Sequence, residues 1–229
     1  MTSLQKWGKS VRTTIPVMAG YLVLGAGFGI LLRTRGYGLG WALAMSAFIY
    51  AGSMQYVAID LLTGGASLLM TAVTTLLVNA RHLFYGISML ERYRAAGKYA
   101  PYLIFSLTDE TYSLVAARED LTGAECFRIS LLDQLYWVLG TALGSLAGAY
   151  LDFNTTGIDF SLTALFLTVF TEQWLETKDH APALIGLGVS IVCRLLFGAD
   201  SFLLPTMGGM LCCLLVLDAR RTKKGGESV

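Results

Sequence analysis

Charged residues are scarce in this chain of 229 residues. Asp, Glu, Lys and Arg make up 14% of it, whereas a water-soluble domain carries about 25%. Hydrophobic residues make up 55%, and the mean hydropathy is +0.59. This composition has too few polar residues to form a hydrated protein surface or a solvated disordered chain. It therefore excludes a sizeable soluble domain and a disordered protein. The sequence therefore predicts an integral membrane protein.

The residues that supply catalytic or metal chemistry are also few. His82 and His180 are the only histidines, and neither an H-E-x-x-H motif nor a cysteine–histidine spacing predicts a metal site. The G-x-S-x-G motif of a serine nucleophile does not occur. The four cysteines show no C-x-x-C spacing and are expected to be reduced thiols that pack in apolar runs. We therefore expect neither an enzyme nor a bound metal or cofactor, and the net charge of +1 gives no reason to expect nucleic acid as a partner.

Eight apolar runs divide the chain. They cover residues 15–32, 41–62, 66–90, 101–117, 126–151, 160–175, 182–197 and 202–217. None alternates between apolar and polar residues over about ten positions, so helices rather than barrel strands are expected. The predicted fold is an all-α, polytopic membrane helix bundle of seven or eight spans, forming one transmembrane domain over residues 1–229. The fourth run is short and carries Asp109 and Glu110 near its middle, which is compatible with a broken or re-entrant segment and would change the count by one.

Loop cations predict the orientation, because Lys and Arg accumulate on the cytoplasmic side of a membrane. With eight spans and a cytoplasmic N-terminus, ten cations lie inside: Lys6, Lys9, Arg12, Arg118, Arg128, Lys178, Arg220, Arg221, Lys223 and Lys224. Five lie outside: Arg33, Arg35, Arg92, Arg94 and Lys98. The majority favours this orientation, although the cluster from Arg92 to Lys98 disagrees with it.

Small residues and an internal similarity indicate how the spans are organised. Gly25, Gly27 and Gly29 lie in the first run, and the fifth run contains two successive G-x-x-x-G steps, which predict close helix packing. Gln55-Tyr56 and the segment from Arg81 resemble Gln173-Trp174 and the segment from Arg194. Residues 15–90 and 126–198 are therefore candidate repeats, although apolar helices also resemble one another by chance.

Polar groups inside apolar runs are the strongest functional signal, because an ionised side chain at the centre of a span costs roughly 2.5–3.5 kcal/mol. They form three clusters, at residues 51–56, 79–82 and 108–112, and the first contains an Ala-Gly-Ser stretch compatible with an unwound helix. Snorkelling, helix capping, close packing or a structural Arg–Asp pair could also explain these residues. The candidate substrate-binding or coupling residues are Ser53, Gln55, Tyr56, Asn79, Arg81, His82, Asp109 and Glu110, with Asp133, Gln134, Glu172, Gln173 and Arg194 as secondary candidates.

At these clusters the sequence resembles the AzlC family of bacterial amino-acid permeases. The resemblance is carried by AGSMQY at 51–56, NARHLFYG at 79–86 and TDETY at 108–112, and the glycine-rich opening at 16–29 also fits. It implies a multi-pass protein of the bacterial inner membrane that exports the branched-chain amino acids Leu, Ile and Val, driven by the proton-motive force. It also implies a small partner membrane subunit of the AzlD type.

The residues themselves are compatible with such a substrate. A zwitterion needs a cation for its carboxylate, an acidic or carbonyl partner for its ammonium and an apolar pocket for its side chain. We hypothesise that Arg81 and Asn79 hold the carboxylate, while Asp109 or Glu110 handles the ammonium or a coupled proton. Two other functions stay open: a channel or exporter for other small solutes such as methionine, and a membrane scaffold whose buried charges only lock helices together.

Overall fold

The computed structural model describes residues 3–116, 118, 120–150 and 179–226, together with positions 160, 163, 164, 167, 170, 171, 174 and 175. Among these residues all regular secondary structure is helical, as predicted, and no strand occurs. The chain forms two compact units, Met1–Thr163 (unit 1) and Ala164–Val229 (unit 2).

The described part of unit 1 combines two long helices with six shorter ones. The helices are α1 (Ser3–Thr34), α2 (Leu39–Phe48), α3 (Gly52–Thr63), α4 (Leu68–Val78), α5 (Arg81–Ala95), α6 (Ala100–Phe105), α7 (Asp109–Ala116) and α8 (Gly123–Tyr150), and a 3₁₀ turn at Gly97–Tyr99 precedes α6.

Helices α1 and α8 lie side by side and run in the same direction. Near their N-termini Lys9 Nζ is 3.6 Å from Glu125 Oε1. Farther along, Gly29 packs against the backbone of Thr141 and Ser145, where there is no room for a Cβ atom. The close packing predicted from the glycine stripes is confirmed, because this contact is lined by Gly25, Gly29, Gly140, Gly144 and Gly148.

Helices α2 and α3 form a hairpin, the first hairpin, at whose tip the chain reverses direction. Helix α2 begins beside Arg33 at the end of α1, since a Cβ on Gly38 would lie 3.3 Å from the Arg33 guanidinium. The helix ends before Tyr50, which adopts a left-handed conformation with φ 44°. Beyond this tip Gln55 Nε2 donates to Ser46 Oγ at 3.1 Å. A continuous helix would separate these two residues by about 13.5 Å, so α3 must turn back along α2.

Helix α3 returns to the end of unit 1 at which α2 begins. The Tyr56 hydroxyl donates to the carbonyl oxygen of Leu24 at 2.7 Å, and the Tyr56 ring lies 5.7 Å from that of Phe28. Both partners lie beyond the middle of α1, toward its C-terminus. The prediction that residues 41–62 form a single span is therefore wrong, because the break at residues 49–51 reverses the chain.

Helices α4 and α5 follow one another with a break at Asn79 and Ala80. The N–H groups of His82 and Leu83 donate to the carbonyl oxygens of Asn79 and Ala80 at 2.9 and 3.1 Å, which is the tight i to i−3 pattern. The third apolar run is thus interrupted. Thr71 and Thr75 therefore lie on α4, whereas His82 lies on α5 beyond the break.

Helices α6 and α7 form the second hairpin, which enters unit 1 from the opposite end. Tyr102 on α6 donates to Gln134 Oε1 at 2.6 Å, and Thr111 on α7 donates to Asp133 Oδ2 at 3.0 Å. Both legs therefore reach the same level of α8, and the chain turns between them at residues 106–108. The fourth apolar run is therefore broken, which is one of the two alternatives, broken or re-entrant, that the sequence left open.

Arg92 fastens the base of the second hairpin. Its Nη1 donates to the carbonyl oxygen of Val115 at 2.6 Å, and its Nη2 donates to the carbonyl oxygens of Arg118 and, at 3.5 Å, Leu121. The Arg118 guanidinium in turn donates to Thr13 Oγ1 at 3.0 Å. Arg92 therefore lies at the same end of unit 1 as the start of α1, and the prediction that it lies on the opposite side from Arg118 is wrong.

This end, here called the basic end, gathers most of the cations of unit 1. The opposite end carries only two that the structure describes, Arg33 and Arg35. The basic end carries Lys6, Lys9, Arg12, Arg92, Arg94, Lys98, Arg118 and Arg128.

The helices expose a large apolar surface. Leu68 is 90% exposed, Phe48 80% and Ile87 71%, which suits contact with lipid rather than water. By length and composition, two of the described helices could cross a membrane, Leu4–Thr34 and Ala181–Gly198.

Unit 2 contains α9 (Ala181–Ser201) and α10 (Leu203–Gly226), which pack against each other. A Cβ on Gly209 would lie 3.0 Å from Val189 Cγ1, so the two helices approach closely at this point. Helix α9 is kinked at Gly198, where φ is 75°. The four cysteines are free thiols; Cys126 and Cys193 are buried, whereas Cys212 and Cys213 are exposed.

Candidate functional site

Three helix N-termini meet halfway along unit 1. They belong to α3, α5 and α7, and each follows a break in the chain. Arg81, the first residue of α5, joins the two hairpin tips: its Nη2 donates to Ser53 Oγ at 3.0 Å, and its Nη1 lies 2.7 Å from Asp109 Oδ2. Helix N-termini carry partial positive charge. The site therefore combines the positive potential of these helix N-termini with the Arg81 guanidinium and with the two carboxylates at the start of α7.

The ion pair between Arg81 and Asp109 is half-buried and incompletely satisfied. The two side chains are 34% and 30% exposed. Arg81 Nε and Asp109 Oδ1 are both buried and have no hydrogen-bond partner among the described residues. A buried donor and a buried acceptor without partners cost free energy. Arg81 Nε can therefore donate to an acceptor of another molecule, and Asp109 Oδ1 can accept from a donor.

Glu110 points away from Arg81 and toward α1. Its Oε2 accepts a hydrogen bond from the Tyr21 hydroxyl at 2.7 Å. That hydroxyl is also 2.7 Å from Thr108 Oγ1, which caps α7 by accepting from the N–H of Thr111 at 3.3 Å. The two adjacent carboxylates of the predicted cluster thus serve different neighbours, because successive side chains on a helix point in different directions.

Asp133, a secondary candidate, lies at the same depth and is completely buried. Its Oδ2 accepts from Thr111 Oγ1 at 3.0 Å, and its Oδ1 has no partner among the described residues. The two ion pairs of the described residues are Lys9–Glu125 and Arg81–Asp109, and neither includes this carboxyl group. Asp133 is therefore a fully buried acid without an ion-pair partner among the described residues.

Gln55 and Tyr56 are occupied by protein partners. Gln55 is fully buried, and its amide donates to Ser46 while its Oε1 accepts from Trp137 Nε1 at 2.9 Å. Ser46 donates onward to Thr141 Oγ1 at 2.9 Å. These contacts hold the first hairpin against α8.

Asn79 and His82 line a cavity of about 560 Å³ next to the break between α4 and α5. They lie on either side of Arg81 in the sequence. Small-molecule sites typically occupy about 300–1,000 Å³. Most of the cavity wall is apolar: Ile49, Ala51, Leu83, Ile87, Leu90, Ile104, Phe105 and Leu107.

The other secondary candidates do not join this group. Gln134 holds the first hairpin, since its Nε2 donates to the carbonyl oxygen of Ala47 at 3.1 Å. Arg194 lies in unit 2, where its guanidinium is 5.3 Å from the Phe202 ring centroid. Glu172 and Gln173 lie outside the described residues.

Two tyrosines at the site are not among the residues predicted from the sequence. Tyr21 reaches Glu110 from α1. Tyr50 forms the left-handed tip of the first hairpin, and its ring centroid is 6.5 Å from that of Phe105 on the second hairpin. A phenol deep in an apolar run is the sequence signal that could have indicated Tyr21. Among the described residues, no group of three or more His, Cys, Asp and Glu could hold a metal ion.

Comparison with known proteins places the chain in a family. Residues 16–151 match the family described as AzlC protein. This range includes the eight described helices of unit 1 except the start of α1. The chain is 46% identical over 209 residues to the branched-chain amino acid transport protein AzlC of Bacillus subtilis, covering 89% of this chain and 82% of that protein.

More distant relatives are membrane proteins. An uncharacterized membrane protein of Helicobacter pylori is 42% identical over 207 residues, covering 89% of this chain and 91% of that one. The inner membrane protein YgaZ of Escherichia coli is 26% identical over 222 residues, covering 90% of this chain and 87% of that protein. No solved structure matches the chain. From these matches, and as the three sequence motifs indicate, the chain belongs to the AzlC family.

Proposed function

We propose that this protein is a multi-pass transporter of the bacterial inner membrane that exports branched-chain amino acids. The relative from Bacillus subtilis is named as a branched-chain amino acid transport protein. The observation that carries the proposal is the Arg81–Asp109 pair, held between two re-entrant hairpin tips, with one unpartnered donor and one unpartnered acceptor. Broken helices that meet near the membrane midplane are a common way to build a transport site.

The same geometry supports a membrane topology. In unit 1, α1, α4–α5 and α8 cross the membrane, while the two hairpins enter from opposite sides and turn back. In this topology Arg92, Arg94 and Lys98 lie on the side of the N-terminus, so eight cations of unit 1 lie on that side against two, Arg33 and Arg35, on the other. The positive-inside rule thus places the N-terminus in the cytoplasm.

The substrate is bound by its two charged ends and its side chain. Its carboxylate accepts from Arg81, assisted by the N-terminus of α3, where no side chain caps the free N–H groups. Its ammonium donates to Asp109 Oδ1. Its aliphatic side chain enters the apolar cavity, at whose mouth Asn79 adds a polar contact.

Transport is coupled to the proton-motive force and requires a small membrane subunit of the AzlD type. The exposed apolar surface of unit 1 is compatible with lipid and with such a partner alike. Coupling allows the substrate to accumulate outside against its gradient, which a channel could not achieve.

Efflux of preloaded leucine tests the proposal. Cells lacking their own leucine exporters would express the chain with and without a candidate small subunit. We expect efflux only with both proteins, and we expect Arg81→Ala to abolish it at normal membrane abundance. Arg35→Ala is the matched control, because Arg35 is an exposed arginine at the opposite end of unit 1.

Three outcomes would contradict parts of this function. Leucine efflux at the parental rate by Arg81→Ala would show that Arg81 does not form part of the substrate site. Efflux of methionine but not leucine would change the substrate. Absence of efflux for every amino acid tested, together with no effect of leucine on the melting temperature, would favour a scaffold.

A further inference from the structure

A continuous chain of hydrogen bonds joins two carboxyl groups in unit 1. It runs from Glu110 Oε2 to the Tyr21 hydroxyl (2.7 Å), to Thr108 Oγ1 (2.7 Å), to Thr111 Oγ1 (3.2 Å) and to Asp133 Oδ2 (3.0 Å). The chain thus crosses from α7 to α1, back to the tip of the second hairpin, and on to α8. Every atom between the two carboxyl groups is a hydroxyl oxygen.

Counting hydrogen atoms shows what this chain requires. Four oxygen–oxygen contacts need four hydrogens, because each hydrogen bond uses one. The hydroxyl groups of Tyr21, Thr108 and Thr111 supply three. If Glu110 and Asp133 were both ionised, one contact would therefore bring two acceptors together without a hydrogen. One carboxyl proton completes the chain.

The surroundings of Asp133 also favour a bound proton. Its side chain is completely buried, and its Oδ1 has no partner among the described residues. Among the residues that the structure describes, the titratable groups near enough to interact with it are Glu110, Tyr50 and Tyr102, and none of these is a cation. An ionised carboxylate in such a position is expensive unless it is neutralised.

Glu110 also faces charged groups, since Asp109 precedes it on α7 and Asp109 pairs with Arg81. That arginine is committed to Asp109 and Ser53, so it does not replace the missing hydrogen in the chain. The proton site and the substrate site are thus adjacent but use different atoms.

We propose that Glu110 and Asp133 share one transported proton through the hydroxyl groups of Tyr21, Thr108 and Thr111. This rests on the proposed function and names its coupling site. In one state Glu110 is protonated, every hydroxyl donates toward Asp133, and Asp133 is ionised. Glu110 then gives its proton to Tyr21, Tyr21 gives its own to Thr108, Thr108 to Thr111, and Thr111 to Asp133. Four O–H bonds break and four form, and the net result is one proton moved from Glu110 to Asp133.

Both end states satisfy all four contacts, so the transfer needs no change in the positions of the oxygens. Three of the five groups, Thr108, Glu110 and Thr111, lie at the start of α7. A movement of the second hairpin would therefore break the chain and separate the proton from one of its two sites. Asp109, on the same hairpin, would carry the substrate contact with it.

Infrared spectroscopy of the purified full-length protein, with its small subunit where that is needed for stability, tests the shared proton directly. The wild type should show a protonated-carboxyl band at neutral pH that shifts in deuterated water. Glu110→Gln and Asp133→Asn should each lose the band, because the introduced amide N–H supplies the fourth hydrogen of the chain in place of the carboxyl proton. The double variant should lack the band as well. An unchanged band in the double variant, or none in the wild type, would overturn the proposal.

Proteoliposomes separate this proposal from the transport function. Leucine counterflow, which exchanges substrate without net proton movement, would be compared with leucine-driven proton flux followed by an internal pH dye. We expect Asp133→Asn to lose the proton flux while counterflow remains measurable. Asp60→Asn, an exposed acid near the end of α3, is the matched control and should retain both.

Thr111→Val provides a second variant, since it interrupts the chain without removing a charge and with little change in volume. It should also lose the proton flux. Coupled proton flux in Asp133→Asn or Thr111→Val, or flux that follows sodium instead of protons, would overturn the shared-proton site. Absence of leucine counterflow in the wild type would instead refute the proposed function.

Discussion

Arg81 shows how one residue can organise a break in a chain. It begins α5 directly after a tight turn, and no side chain caps that helix. Its rigid fork of N–H donors reaches Ser53 on one hairpin and Asp109 on the other. Lysine has a single ammonium group and cannot match this planar geometry. The guanidinium therefore defines the distance between the two hairpin tips.

Arg81→Lys should consequently keep the positive charge but lose transport. We expect leucine efflux to fall to near background, because an ammonium group cannot hold both tips and leave a donor for substrate. Efflux and membrane abundance would be measured together, with Arg35→Lys as the control. Parental efflux in Arg81→Lys would mean that charge alone suffices and that the fork geometry is unimportant.

Gln55 is a second residue whose role can be tested. Gln55→Leu should destabilise the protein, because it leaves the Trp137 indole N–H without its acceptor in a buried site. A stranded buried polar group costs about 1–3 kcal/mol. Thermal unfolding in detergent measures the effect, and Asp60→Leu, at an exposed position on the same helix, is the control. If Gln55→Leu unfolds at the wild-type temperature but loses leucine binding, Gln55 contacts substrate instead.

At the scale of elements, the contact between α1 and α8 depends on glycine. A Cβ at Gly29 would overlap the carbonyl oxygen of Thr141 and lie 2.6 Å from the amide nitrogen of Ser145. Backbone atoms of a neighbouring helix cannot rotate aside as a side chain can. The two helices must therefore separate if this position gains even one methyl group.

Gly29→Ala and Gly20→Ala form a matched pair on α1. Overpacking typically costs about 1–3 kcal/mol, so Gly29→Ala should lower the melting temperature clearly. A Cβ at Gly20 would meet no other atom within 4 Å, so its substitution should be neutral or gain up to about 1 kcal/mol from helix propensity. Equal melting temperatures for the two variants would contradict the close packing of α1 and α8.

The second hairpin depends on one arginine at its base. Arg92 donates to the carbonyl oxygen of Val115 in the last turn of α7 and to that of Arg118 just beyond the helix. Arg92→Gln should therefore loosen α7 without unfolding the bundle. Hydrogen exchange should rise within residues 109–116 and stay unchanged in α8. Uniformly increased exchange across unit 1 would show that Arg92 supports the whole bundle rather than the hairpin.

At the scale of the whole molecule, the two hairpins decide which ends of the helices share a side of the membrane. If both turn back, Lys98 lies in the cytoplasm with the N-terminus, and Arg35 lies outside. If residues 41–62 and 101–117 each crossed, Lys98 would instead lie outside. The placement of a single loop therefore separates the two topologies.

Cysteine labelling in whole cells measures this difference. Arg35→Cys should react with a membrane-impermeant maleimide, and Lys98→Cys should react only after the cells are permeabilised. The parent chain, with its four native cysteines, provides the background. Reaction of Lys98→Cys in intact cells would support the eight-span topology instead.

Much of the site is predictable from the sequence because buried charge is costly wherever it occurs. Arg81, Asp109 and Glu110 stand out as ionisable residues within apolar runs. The pairing of Arg81 with Asp109 rather than Glu110 is not predictable, because it depends on how α7 is rotated at the hairpin tip. The sequence also gives Asp133 too little weight, since the isolation of this acid results from the side chains around it, which come from other helices.

By itself, the amino-acid sequence determined the helical class, the membrane environment, the family and the glycine contact of α1. Each follows from composition or from local spacing along one helix. Only the tertiary structure decided that two of the apolar runs turn back at their middle. An apolar run is equally stable in lipid whether it crosses the membrane or turns back. The choice therefore depends on contacts between different helices, such as those of Gln55 with Ser46 and of Arg92 with Val115.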